Sequence, residues 1–191
     1  MKNMKQVTAA LVGAGLRGAH VYSNYALEHP EEFRVVAVAE PDEKRRLMFA
    51  KKHGIPKHLQ FQRDEELFQQ EKLADCAMIC TQDRMHFKPV IKAMEKGYHV
   101  LCEKPMSPER EEIIKMAQKY DRILSVCHVL RYSPFFVKSK SLLSEKRIGR
   151  LISIQHMEEV GFWHYAHSFV RGNWRRAEES SPMILQKCCH D

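Results

Sequence analysis

The chain has 191 residues, 44% of them hydrophobic and 29% charged, enough for one good core and the start of a second domain and inconsistent with wholesale disorder. A formal net charge of +7 invites a nucleic-acid reading, but Lys and Arg are scattered with Glu among them and no basic run is interleaved with aromatics, so a small anionic ligand is enough to explain it. No apolar run is long enough to cross a bilayer, and residues 1–5 lead into a strand pattern without the apolar stretch of a signal peptide, so a cytoplasmic protein without a membrane partner is expected.

The apolar run at residues 7–12 stops at Gly13-Ala14-Gly15-Leu16-Arg17-Gly18, and a helix-compatible segment follows at once. This is the pattern of a strand, a tight turn and a helix start. Gly13 suits the turn, Gly15 would let backbone approach a pyrophosphate, and Gly18 would let the helix pack close to the strand. A helix N-terminus placed there offers N–H groups and positive dipole to phosphates. The helix, with Ala19, Tyr22 and Ala26 on one face, is expected to end at Pro30.

A second buried strand, residues 33–39, is closed by Glu40, about 20 residues beyond Gly18, where such a fold places a carboxylate on the adenosine ribose. A solvated acid at a strand end is the plainer alternative. Asp42 caps a helix running to Gly54. Arg45 and Arg46 in it sit near the adenosine end, where an arginine accommodates a 2′-phosphate or stacks on adenine, so NAD is favoured by Glu40 while NADP stays open. A short third strand is expected near residues 58–61, and Asp64 opens a helix.

Residues 74–80 read as a strand, Thr81-Gln82-Asp83-Arg84-Met85-His86 as a loop, and apolar positions 87, 90, 91 and 94 as one helical face ending at Gly97. Ligands of doubly wound sheets lie outside the strands' carboxyl ends, so Thr81, Gln82 and His86 border the crevice, with His86 serving either the ligand or the helix start. Residues 98–102 form a further strand that ends at Glu103-Lys104-Pro105. Proline stiffens this link, and a cis peptide there would fix the lysine's direction. Ser107-Pro108 then starts a helix as cap and first residue, and residues 123–128 form a sixth strand. Alternating strands and helices of this kind specify a doubly wound parallel α/β sheet, covered on both sides.

Six cysteines lack paired CxxC spacing, so no zinc site or disulfide framework is indicated. The cluster Cys188-Cys189-His190-Asp191 offers metal-ligand types, but consecutive side chains diverge, and no metal is expected.

Taken with Thr81 through His86 and Asn173-Trp174-Arg175, the glycine turn and the Glu-Lys-Pro turn make the chain resemble the glucose–fructose oxidoreductase and inositol dehydrogenase family of sugar oxidoreductases. The resemblance implies an N-terminal Rossmann domain, residues 1–128, followed by an α/β substrate domain from 129 onward that often forms subunit contacts, hence a homo-oligomer when complete. Its cofactor would be NAD or NADP, and its substrate a sugar or polyol. Within the second part, Ser133 and Pro134 should start a helix, Ile152 and Ile154 alternate with Ser153 and Gln155 as in a strand, and residues 162–176 read as loop. In relatives a pair like Trp174-Arg175 approaches cofactor or substrate; surface packing is the plainer reading.

The family commonly carries an acid or lysine followed within a turn by a histidine near the reacting carbon, and Lys187 and His190 match that position. Two departures, Ser180-Ser181-Pro182 where glycines are common and Gln186 where an aspartate is common, point to a subfamily with its own substrate. The resemblance also implies a longer second domain than residues 129–191 supply, so a fragment that binds cofactor without turning over sugar is expected. In the implied mechanism His190 accepts the hydroxyl proton while Lys104 stabilises charge on the reacting oxygen. A glycosidase of the same superfamily, using NAD transiently, and a non-catalytic dinucleotide-binding module are the alternatives.

Overall fold

A computed structural model describes residues 5–118, 120–157 and 159–181. The chain divides into two compact units, Met1–Val126 and Cys127–Asp191.

In the first unit the strands are β1 (Val7–Val12), β2 (Phe33–Ala39), β3 (Gln60–Phe61), β4 (Cys76–Ile79), β5 (His99–Cys102) and β6 (Leu124–Val126). All pair in parallel, in the order β3-β2-β1-β4-β5-β6. The strands are apolar almost without interruption because both faces are covered. Alternate residues go to opposite sides: Ala10, Val12, Ala77 and Ile79 join a core with Leu67, Val90 and Met94, while Ala9, Leu11 and Met78 join one with Ala26 and Phe49. The helices supplying those faces are α1 (Ser23–Glu28) and α2 (Glu43–His53) on one side, α3 (Asp64–Gln69), α4 (Phe87–Glu95) and α5 (Arg110–Met116) on the other. Asp75 fastens the start of β4 to β1, accepting from the Thr8 amide at 2.9 Å and its hydroxyl at 2.7 Å. Those bonds hold its carboxyl below the usual range.

Strand order reverses direction between β1 and β4, so the chain leaves β1 at Gly13 and β4 at Cys80 beside one crevice, the switch point where such sheets bind ligands. Two sequence expectations shift here. The helix after the glycine turn begins as a π-helical stretch, Leu16–Tyr22, before settling into α1. The helix after Ser107-Pro108 starts later, at Arg110, because the Ser107 hydroxyl accepts from the Glu109 amide at 3.0 Å and closes a turn of its own.

In the second unit α6 (Pro134–Ser144) carries proline at its first position, as expected, although Ser133 makes no side-chain cap bond. Residues 151–157 and 159–160 form no strand, and Ile152 and Ile154 are 76% and 72% exposed. An alternating segment becomes a strand only when another pairs with it, and the described residues of this unit include none. Of the stretch read as loop, residues 162–176, the first part is instead α7 (Phe162–Tyr165) continuing as a π-helical turn, Ala166–Val170, while 171–176 are turns and bends as expected. Rings four apart support it: Trp163 against His167 at 4.1 Å and Tyr165 stacked on Phe169 at 6.0 Å between centroids. Among the described residues no helix is long and apolar enough to cross a membrane.

Candidate functional site

The glycine turn divides its labour by geometry. Gly13 has φ of +91°, and a Cβ there would lie 2.7 Å from the Cys80 carbonyl oxygen, so only glycine lets the turn after β1 lie against the end of β4. A Cβ on Gly18 would stand 2.3 Å from the Gly13 carbonyl oxygen, which fixes the close approach of helix to turn. Gly15 differs: nothing lies within 4 Å of the Cβ position, so its face is open. It precedes a first helical turn that contains no acid and no side-chain cap. Open space beside backbone at a helix start suits an anionic diphosphate. Leu16 and Arg17 are exposed beside it.

Glu40 stands at the carboxyl end of β2, as the sequence suggests, but not as a solvated acid. It is 3% exposed, and its carboxylate accepts from the Ala14 amide at 2.8 Å and from the Asp42 amide at 3.0 Å. A ribose hydroxyl would share this carboxylate with the glycine turn. Arg45 reaches the same carboxylate at 3.3 Å, and Arg46 donates to the Glu40 carbonyl at 2.6 Å. Both guanidinium groups therefore cluster around Glu40 at this end of the crevice.

The loops after β4 and β5 supply the opposite wall. The Thr81 hydroxyl donates to the Met85 carbonyl at 3.2 Å, and Gln82 precedes the short turn Asp83–Met85. His86 corrects the sequence reading of a cofactor ligand. It is fully buried, with Nδ1 2.7 Å from the Pro105 carbonyl and Nε2 3.0 Å from the Thr81 carbonyl, so it joins the two loops and has no surface to offer a ligand. Glu103 is likewise turned inward: its carboxylate accepts from the Tyr22 hydroxyl, lies 3.8 Å from Arg17 Nε, and accepts from the Lys104 amide at 2.9 Å. The Lys104–Pro105 peptide is cis. Lys104 leaves the carboxyl end of β5, one strand from β4.

Gly13, Gly15, Gly18, Glu40, Thr81, Gln82, Glu103 and Lys104 thus gather along the carboxyl edge of one sheet. Trp174 and Arg175 belong to the second unit, where the Trp174 amide donates to the Ser168 carbonyl at 3.2 Å and its ring faces Phe169. Lys187 and His190, with the cysteines at 188 and 189, lie outside the described residues. Sequence reasoning missed Tyr22, visible only as one apolar position of a helix, as the partner of Glu103. Of the crevice thiols, Cys80 is half-buried and Cys102 buried; at the opposite, amino end of β4, burial pushes the Cys76 thiol up to about 11.

A family model described as an oxidoreductase family with an NAD-binding Rossmann fold matches residues 7–128. The chain is 27% identical over 187 residues to the 2,7-anhydro-N-acetylneuraminate hydratase of Mediterraneibacter gnavus, covering 96% of this chain and 44% of that protein. It is 33% identical over 148 residues to the trans-1,2-dihydrobenzene-1,2-diol dehydrogenase of Sus scrofa, covering 76% and 43%. Among solved structures, the WlbA dehydrogenase from Chromobacterium violaceum in complex with NADH and UDP-GlcNAcA superposes with a TM-score of 0.69 at 25% identity, over 76% of this chain and 42% of that one. The myo-inositol 2-dehydrogenase from Lactobacillus plantarum shares the fold, with a TM-score of 0.70 at 22% identity over 78% and 44%. The chain spans less than half the length of each of these relatives.

Proposed function

The chain belongs to the oxidoreductase family with an NAD-binding Rossmann fold, and from that premise we propose that it binds NAD(H) along the crevice and serves hydride transfer to or from a carbinol carbon of a sugar or polyol. One observation carries the reading: the glycine turn, open at Gly15, and the lysine turn leave the same edge of one parallel sheet, on strands that both neighbour β4. When bound, the nicotinamide supplies the hydride acceptor or donor. The backbone of Gly13 to Gly18 would hold the diphosphate, Glu40 the adenosine ribose, and Thr81 and Gln82 the wall opposite. A buried carboxylate at the ribose end disfavours a 2′-phosphate, which makes NAD the preferred form over NADP.

Hydride loss from the carbinol carbon requires its hydroxyl proton to depart. Lys104 donates a hydrogen bond to the reacting oxygen and stabilises the negative charge that develops on it. His190, three positions after Lys187, would take the proton, and Trp174 and Arg175 are further candidates for contact with cofactor or substrate. A sugar or polyol is favoured by what similar proteins bind or act on, UDP-GlcNAcA and a dihydrodiol among them. Residues 1–128 serve as the dinucleotide-binding domain.

Calorimetric titration with NADH and NADPH tests the reading, with NADH expected to bind at least about tenfold more tightly. Heat from neither ligand would refute it. In a sugar and polyol panel followed at the nicotinamide absorbance, Lys104→Met should depress turnover far more than cofactor affinity; equal losses would make Lys104 a binding group alone. A second reading is supported by the hydratase relative, which aligns over nearly the whole chain: transient oxidation with the nicotinamide restored. Product formed with no net absorbance change would select it.

A further inference from the structure

Lys104 is flanked by two side-chain ties. Before it, Glu103 accepts from the Tyr22 hydroxyl through one oxygen and from the Lys104 amide at 2.9 Å through the other. After it, the Pro105 carbonyl lies 2.7 Å from His86 Nδ1, whose other ring nitrogen faces the Thr81 carbonyl at 3.0 Å. Tyr22 sits on the helical stretch that follows the glycine turn, and His86 just ahead of α4, so the lysine turn is fastened to both neighbouring loops. Carbonyl oxygens only accept, so a ring nitrogen of His86 bonded to one of them is the donor, and the tautomer sets which nitrogen that is. His86 and Pro105 are both fully buried, where an unmade hydrogen bond is costly.

We infer that His86 and Tyr22 are positioning residues for Lys104. His86 acts through the Pro105 carbonyl and Tyr22 through the Glu103 carboxylate, and together they fix the direction in which residue 104 leaves β5. The inference deepens the proposed function and rests on its assignment of Lys104 to the reacting oxygen. It also specifies which atom of His86 matters. Of the two contacts only the one at Nδ1 reaches the lysine turn itself, through the Pro105 carbonyl, so that bond holds the turn while Nε2 faces the loop after β4.

Two substitutions separate those atoms, since an asparagine amide nitrogen falls where Nδ1 lies and a glutamine amide nitrogen where Nε2 lies. The experiment uses the isotopically labelled 191-residue chain, with thermal unfolding to check each variant, amide exchange at Lys104, and the change in its side-chain Cε resonance on adding NADH. His86→Asn should keep the wild-type Lys104 exchange rate and NADH response, although losing the contact to Thr81 lowers its unfolding temperature. His86→Gln and Tyr22→Phe should exchange the Lys104 amide about tenfold faster, the loss of one hydrogen bond, and should blunt the NADH-induced change while NADH affinity stays within about twofold. Equal behaviour of the asparagine and glutamine variants, or wild-type exchange in Tyr22→Phe, would overturn the inference. If neither His86 variant folds, Tyr22→Phe decides alone. A wild type that fails to bind NADH, or binds it without moving the Lys104 resonance, would instead refute the functional reading, whatever the exchange rates.

Discussion

Gly15 and Gly18 sit three positions apart on one turn and answer opposite constraints. Gly15 has φ of −76° and an open Cβ position, so a side chain there meets no protein atom. Gly15→Val should unfold at the wild-type temperature yet lose NADH binding, read by fluorescence titration; retained affinity would remove the diphosphate from this turn. Gly18→Ala should instead lower stability by about 1–3 kcal/mol in urea titration, since its Cβ has no room against the Gly13 carbonyl. Glu40 shows the same economy of position: one carboxylate shapes the glycine turn through Ala14 and stands where a ribose would be read.

At the scale of elements, α2 carries an electrostatic conflict. His53 is in its last turn, where the helix dipole favours a protonated ring, but burial against Phe49, with centroids 4.3 Å apart and with Lys52 nearby, lowers its pKa from 6.5 to about 4. Its Nε2 is buried without a hydrogen-bond partner. The unfolded chain takes up this proton as pH falls through about 6.5 and the folded chain only near 4, so the residue's contribution to stability is complete above the first value and drains away toward the second. His53→Phe should flatten that part of the pH dependence, seen as a smaller fall in urea midpoint between pH 7 and about pH 4.5 than in the wild type. An unchanged fall would mean the ring is protonated in the native state.

At the scale of the molecule, the crevice groups from Gly13 to Lys104 all belong to the unit Met1–Val126. A chain ending at residue 128 should therefore bind NADH within about threefold of the full 191 residues, measured by calorimetry. A larger loss would give Trp174 or Arg175 a share in holding the cofactor. Saturating NADH should raise the unfolding temperature of both chains, with roughly 2.7 kcal/mol of linkage at a hundredfold excess over Kd.

Sequence alone determined the alternation of strands and helices, the parallel doubly wound class, the glycine turn and the lysine turn. Each rests on local regularity: strands buried on both faces must be continuously apolar, and glycine must stand wherever a Cβ has no room. It could not assign partners to Glu40, Glu103 and His86, whose hydrogen bonds reach Ala14, Tyr22 and Pro105 across 26, 81 and 19 positions. Nor could alternation make a strand of residues 151–157 and 159–160, because a ladder needs a neighbour that local pattern does not supply. Periodicity reports which face of a segment is buried; only the folded chain decides what meets that face, and so made His86, read as ligand or helix start, the tie between two loops.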